Sequence, residues 1–170
     1  MKRITVSTVL VFCVFFAQIG MTQPTVSTQY ANETIAQMIQ QHKMTHSRDV
    51  LPPAELQQKF KSDFAGAYDV EWETSGDIYE VEFDIRFKDY KGYYDKKGDL
   101  LMYTQEIRGS GLPAIVKNAA TSKYPGYRFE DLKKIQRGSE IFYKMEMERG
   151  DTEIELLMKS DGTIINEKLD

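Results

Sequence analysis

The sequence predicts an α+β protein built from two tandem repeats, each a helix followed by four antiparallel strands, with both helices on one face of one continuous sheet. Three observations predict it. A helical stripe of apolar residues recurs 60 residues later, two stretches of strict alternation stand 64 residues apart, and glycine-bearing turns fall at matching places.

The elements follow in chain order. Met1-Lys2-Arg3 precedes Ile4 to Ile19, a run with no charged residue and a dense apolar centre from Val9 to Phe16. That is the basic and then apolar pattern of an export signal. Polar Gln18, Thr22 and Gln23 close the run short of the roughly 20 apolar residues a membrane anchor needs. Gly20 and Thr22 suit cleavage before Gln23, so residues 1–22 read as a signal peptide, with no membrane insertion after cleavage. Phe12 is too bulky to precede a lipidated Cys13.

Loss of residues 1–22 removes Lys2 and Arg3 and no acid, taking the formal charge from −4 to −6. A mildly acidic chain without clustered Lys and Arg lacks what binding to nucleic acid or an anionic membrane surface requires. Cys13, the sole cysteine, leaves with the signal, so neither disulfide nor thiolate metal chemistry remains.

Residues 23–50 are rich in Thr, Gln and Ser and read as a tether. Ile35, Met38 and Ile39 at i, i+3, i+4 predict a short helix from Asn32 to about Lys43, with Asn32 as its cap.

The first repeat occupies 51–108 and the second 112–170. Leu51-Pro52-Pro53 opens one and Leu112-Pro113 the other. Leu56, Phe60 and Phe64 lie at the i, i+4, i+8 spacing of a buried helix stripe and recur as Val116, Ala120 and Tyr124. Gly66 returns as Gly126 and Trp72 as Leu132. The offset then grows to 64, which implies a longer connection after the first strand of the second repeat. Tyr79, Val81 and Phe83 become Tyr143, Met145 and Met147, while Glu80, Glu82 and Asp84 become Lys144, Glu146 and Glu148. This period-two pattern marks strands with one buried and one wet face. Tyr90, Gly92 and Tyr94 map onto Ile154, Leu156 and Met158, and Gly98 onto Gly162. Asp161-Gly162 is a tight-hairpin signal because Gly accepts the positive φ of primed turns. One helix covers one face of four strands, so two such units are expected side by side as one sheet.

Trp72, the strand Tyr79 to Phe83, the stretch Tyr93 to Leu101, and Leu112-Pro113 running to Tyr124-Pro125-Gly126-Tyr127 resemble the PepSY-like, beta-lactamase-inhibitor-like family of small secreted bacterial envelope proteins. The resemblance spans Leu51 to Asp170. It implies the duplicated unit, a periplasmic, secreted or cell-surface location and a non-enzymatic binding or inhibitory role. The first repeat departs from the pattern with Phe64-Ala65-Gly66, which is expected to weaken its helix stop. Fold similarity does not carry the target, and beta-lactamase inhibition is not implied.

No residue set suggests catalysis, a metal or a cofactor. His42 and His46 are spaced i, i+4 but lack the third and fourth ligands of a zinc site. They also lie outside the repeats, so Ser110 in Gly109-Ser110-Gly111 has no base and reads as a joint. Asp95-Lys96-Lys97-Gly98-Asp99 lacks the alternating oxygens of a calcium loop and reads as a turn. The acids alternating along the first strands could hide an acid/base pair, but a solvated sheet face demands the same residues.

Those acids and one aromatic give the candidate binding face: Glu71, Glu73, Glu80, Glu82, Asp84 and Tyr93, the last expected to stand exposed beside Lys91 and Asp95. The expected partner is a protein or peptide of the cell envelope, with no nucleic acid and no cofactor. A structural envelope component joined through a sheet edge, and a carboxylate-dependent hydrolase, are the alternatives.

Overall fold

The computed structural model describes residues 48–169. The expected signal peptide, the expected helix at Asn32–Lys43, His42 and His46 lie outside them.

Nine strands form one antiparallel sheet in strict sequential order. β1 (Arg48–Asp49) is a two-residue edge, followed by α1 (Ala54–Asp63), β2 (Tyr68–Ser75), β3 (Ile78–Asp84), β4 (Asp89–Asp95) and β5 (Leu100–Glu106). A single 3-10 turn at Gly109–Gly111 leads to α2 (Ala114–Lys123), β6 (Arg128–Arg137), β7 (Glu140–Arg149), β8 (Thr152–Lys159) and β9 (Ile164–Leu169). The duplicated helix-then-meander and the shared sheet are as the sequence predicts.

Both helices span 10 residues and end alike. Phe64 N–H donates to the Phe60 carbonyl and Tyr124 N–H to that of Ala120, and Gly66 and Gly126 then turn the chain at φ 86° and 84°. Glycine supplies the left-handed turn, so Ala65 in place of Pro125 leaves the stop of the first helix intact.

The four extra residues of the second repeat do not lengthen a connection. β2 and β3 join through Gly76–Asp77, between the pair Ser75 and Ile78, and β6 and β7 through Gly138–Ser139, between Arg137 and Glu140. The turn keeps its two residues. Trp72 faces Val81 and Leu132 faces Met145, so the insertion adds two residues to each arm of the second hairpin.

The helices cover one sheet face with two separate cores. Under α1, Phe60 packs at 4.9 Å and 5.4 Å from the rings of Phe83 and Trp72, and Phe64 at 4.6 Å from Phe83. Tyr94 closes this core by donating its hydroxyl to Asp63 at 3.1 Å. Under α2 the helix contributes small Val116 and Ala120, and Met145, Met147 and Met158 fill the space with flexible side chains. Between the cores lies buried Gln136, whose amide donates to the Gly138 carbonyl at 2.7 Å.

On the opposite face, called here the far face, the repeats are joined. Tyr93, Leu101 and Met102 of the first pack with Ile135, Phe142 and Leu157 of the second. A register shift opposite Tyr93 and Tyr94 leaves Leu101 out of the β4–β5 pairing. Leu101 therefore joins Met102 on the far face while Leu100 joins the α1 core.

The β3–β4 turn places Arg86 and Phe87 at φ 51° and 60°, closed by reciprocal bonds between Ile85 and Lys88. The corresponding turn of the second repeat begins with Gly150 at φ 62°.

Candidate functional site

Alternation along β3 and β4 sends Glu80 and Glu82 to the far face with Lys91 and Tyr93. Glu82 faces Lys91 across the ladder and Glu80 faces Tyr93. Lys91 lies directly opposite Glu82 and diagonal to Glu80 and pairs with both, at 2.5 Å from Glu80. The second repeat builds the same arrangement with exchanged residues: Lys144 lies 2.7 Å from Glu155 and 3.5 Å from Glu146.

These pairs set the charge states. Burial pulls the Lys91 ammonium down, but its bonds and attraction to Glu80 and Glu82 outweigh this and leave it raised. Lys144 is raised by the same balance, with Glu155 as the stronger partner. Both cations therefore hold at neutral pH. Burial first, and the charges of Glu80 and Glu82 second, push the Tyr93 phenol far up, so it stays neutral.

Between the two ion-pair sets opens a cleft of about 340 Å³. Tyr93, Thr104 and Ile135 line its floor, and Glu82, Lys133 and Glu146 are among the charged groups at its rim. It offers an apolar base ringed by both signs of charge.

The six residues read from sequence as one surface do not share one environment. Glu71 and Glu82 are exposed, and Glu73 and Asp84 are half-buried. Glu80 is 2% exposed and Tyr93 8%. Tyr93, expected at the surface, is instead buried, a member of one apolar cluster with Leu101 and Met102 on the same face. Asp84 faces Asp89 across the ladder, away from the Lys91 cluster. Desolvation raises its carboxyl, and the shared hydrogen bond and charge of Asp89 add to that.

Lys91, Lys144 and the far-face apolar cluster were not singled out from sequence. The signal for the cluster was present. Leu100-Leu101-Met102 and Leu156-Leu157-Met158 break alternation with consecutive apolar residues, as strands buried on both faces do.

The remaining candidates are structural. Asp95 Oδ1 accepts from the N–H groups of Lys97 and Asp99 at 2.9 and 2.8 Å, which commits it to its own turn. Ser110 is an exposed residue of the 3-10 turn. Among the described residues no group of three or more His, Cys, Asp or Glu is placed to hold a metal, and no helix is long and apolar enough to cross a membrane.

The fold is a duplicated helix-and-meander whose two units share one antiparallel sheet, with a charged, cleft-bearing face opposite the helices. The chain belongs to the family described as "Putative beta-lactamase-inhibitor-like, PepSY-like", which it matches twice, over residues 29–102 and 94–166. No curated protein sequence matches it. Among solved structures, a DUF2874 family protein from Bacteroides uniformis superposes with a TM-score of 0.66 at 21% identity, covering 70% of this chain and 90% of that one. A BLIP-like protein from Bacteroides fragilis gives 0.63 at 21% identity, covering 71% and 87%. A Bacteroides eggerthii protein described as "putative periplasmic" gives 0.66 at 14% identity, covering 71% and 90%. At these identities the likeness is one of fold.

Proposed function

We propose that this protein is a non-enzymatic binding module of the cell envelope, exported by its leader, that grips a protein or peptide segment with the far face of its sheet. The observation that carries the reading is the cleft between the two ion-pair sets. Its floor is lined by Tyr93, Thr104 and Ile135, and its rim offers Lys133 to acidic groups and Glu82 to basic ones. An apolar centre with a charged rim is how protein-binding surfaces are built. Binding there would act by occlusion, without turnover. Glu71 and Glu82 extend the rim along β2 and β3, whereas Glu80 serves as the internal anchor of Lys91.

The test is capture from an envelope extract on the immobilised chain, followed by titration of the purified partner. Glu82→Lys combined with Glu106→Lys changes two exposed acids beside the cleft and should weaken binding at least tenfold with the fold intact. Equal binding by this variant would place the contact elsewhere.

A further inference from the structure

The far-face cluster poses a question of its own. Tyr93, Leu101, Met102, Ile135, Phe142 and Leu157 are all between 0% and 8% exposed. These are core values, yet the residues stand on the sheet face opposite both helices, and among the described residues only strands build the cluster. A sheet face with nothing laid on it is wetted by solvent, and large apolar side chains there stay partly exposed.

We propose that the cover is the protein's own N-terminal segment, seated through Ile35, Met38 and Ile39. Chain direction is the first argument. Arg48 pairs with Thr74 and Asp49 with Glu73, antiparallel, so the N-terminal end of β1 points toward Ser75 and the Gly76–Asp77 turn. That end of the sheet carries Ile78, which packs against the cluster, and the β4–β5 and β6–β7 turns that flank it. β1 therefore begins at the end of the sheet that borders the surface to be covered.

Reach is the second argument. Nine residue steps lead from Ile39 to Arg48, enough for about 30 Å of extended chain. The path from β1 to β6 crosses five strand spacings, about 24 Å. Chemistry is the third. Ile35, Met38 and Ile39 have the i, i+3, i+4 spacing of one apolar helix stripe, in a stretch, residues 32–43, whose only acid is Glu33 and only lysine is Lys43. Such a stripe matches an apolar floor bordered by both charges. Finally, the first family match begins at residue 29, ahead of this segment. A covering segment would border the cleft of the proposed binding face and could compete with a partner for Tyr93 and Ile135, which the cleft and the cluster share.

The experiment uses the purified chain from Gln23 onward, with no partner present, so its outcome is independent of the proposed binding function. That chain has no cysteine, and Met38→Cys with Phe142→Cys should form an intramolecular disulfide on mild oxidation. Met38→Cys with Ile115→Cys, on the exposed side of α2, should not. In a second arm, Ile35→Asp with Ile39→Asp should raise amide exchange in β5 and β6 about tenfold or more and create a site for an apolar dye. Cross-linking that is only intermolecular would assign the cover to a second copy and overturn the proposal. A folded Ile35→Asp, Ile39→Asp variant with unchanged exchange would overturn it also, even if the cysteine pairs fail to fold.

Discussion

Glu80 and Lys144 stand 64 residues apart at the same position of the repeat, carry opposite charge, and are each the buried member of a three-residue ion-pair set. Lys91 answers Glu80, and Glu155, at the position of Lys91, answers Lys144. The two repeats conserve the geometry of the pair while exchanging which strand supplies the cation.

Removing one side of such a pair strands the other in a poorly solvated site. Lys91→Ala is expected to destabilise the fold by roughly 2–4 kcal/mol. Adding Glu80→Leu should recover part of that, because no buried charge is then left alone. Chemical denaturation of the two single variants and the double one checks this, and additive losses would contradict it.

The β3–β4 turn gives a prediction of the opposite sign. Arg86 and Phe87 occupy left-handed backbone that the second repeat assigns in part to Gly150, and Phe87 is 95% exposed. Arg86→Asn with Phe87→Gly, the preferred pair for such a turn, should raise stability by about 1 kcal/mol or more. Thermal unfolding measures it, with the loss of the Tyr68 ring contact at 6.5 Å as the small opposing effect.

The α1 core rests on its aromatic stripe. Phe60 is 3% exposed and meets three rings. Phe60→Ala should cost about 3–5 kcal/mol, whereas Ile115→Ala, on the exposed side of α2, should be nearly neutral. Paired denaturation curves separate the two.

The phenols of Tyr93 and Tyr94 are held far above the ordinary value of 10.0, by burial first and neighbouring carboxylates second. An acid whose folded-state pKa is raised favours folding while its proton is retained by the native state, so stability falls once pH passes about 10 and the unfolded chain ionises. Ultraviolet titration should show these phenolates appearing only with unfolding. Glu167 gives the acid counterpart: Lys123 lowers its carboxyl below 4.5, so its contribution is present above that pH and is lost as pH falls through the lowered value. The acid limb of a melting-temperature profile should flatten in Lys123→Ala.

The repeat was legible in sequence because two periodicities survived in both copies. The 3.6-residue stripe at Leu56, Phe60 and Phe64 and the two-residue alternation at Tyr79, Val81 and Phe83 each fix a face regardless of tertiary context. The environment of Glu80 and Tyr93 was not legible in the same way. Alternation assigns a side chain to a face and cannot say whether that face is wet, and the bulge that turns Leu101 beside Met102 has no glycine or proline to announce it. The insertion near β6 was visible as four residues, but only the pairing of Leu132 with Met145 shows that it was divided equally between two arms of a hairpin.

The strand order from β1 to β9 is the order of the chain. Every strand after the first finds its template in the strand made just before it, so none has to wait for a distant piece. A polypeptide delivered end first through a narrow channel could zip itself shut as it emerges. Its growing edge would always be the most recent strand, and β9 would be the last hem to close.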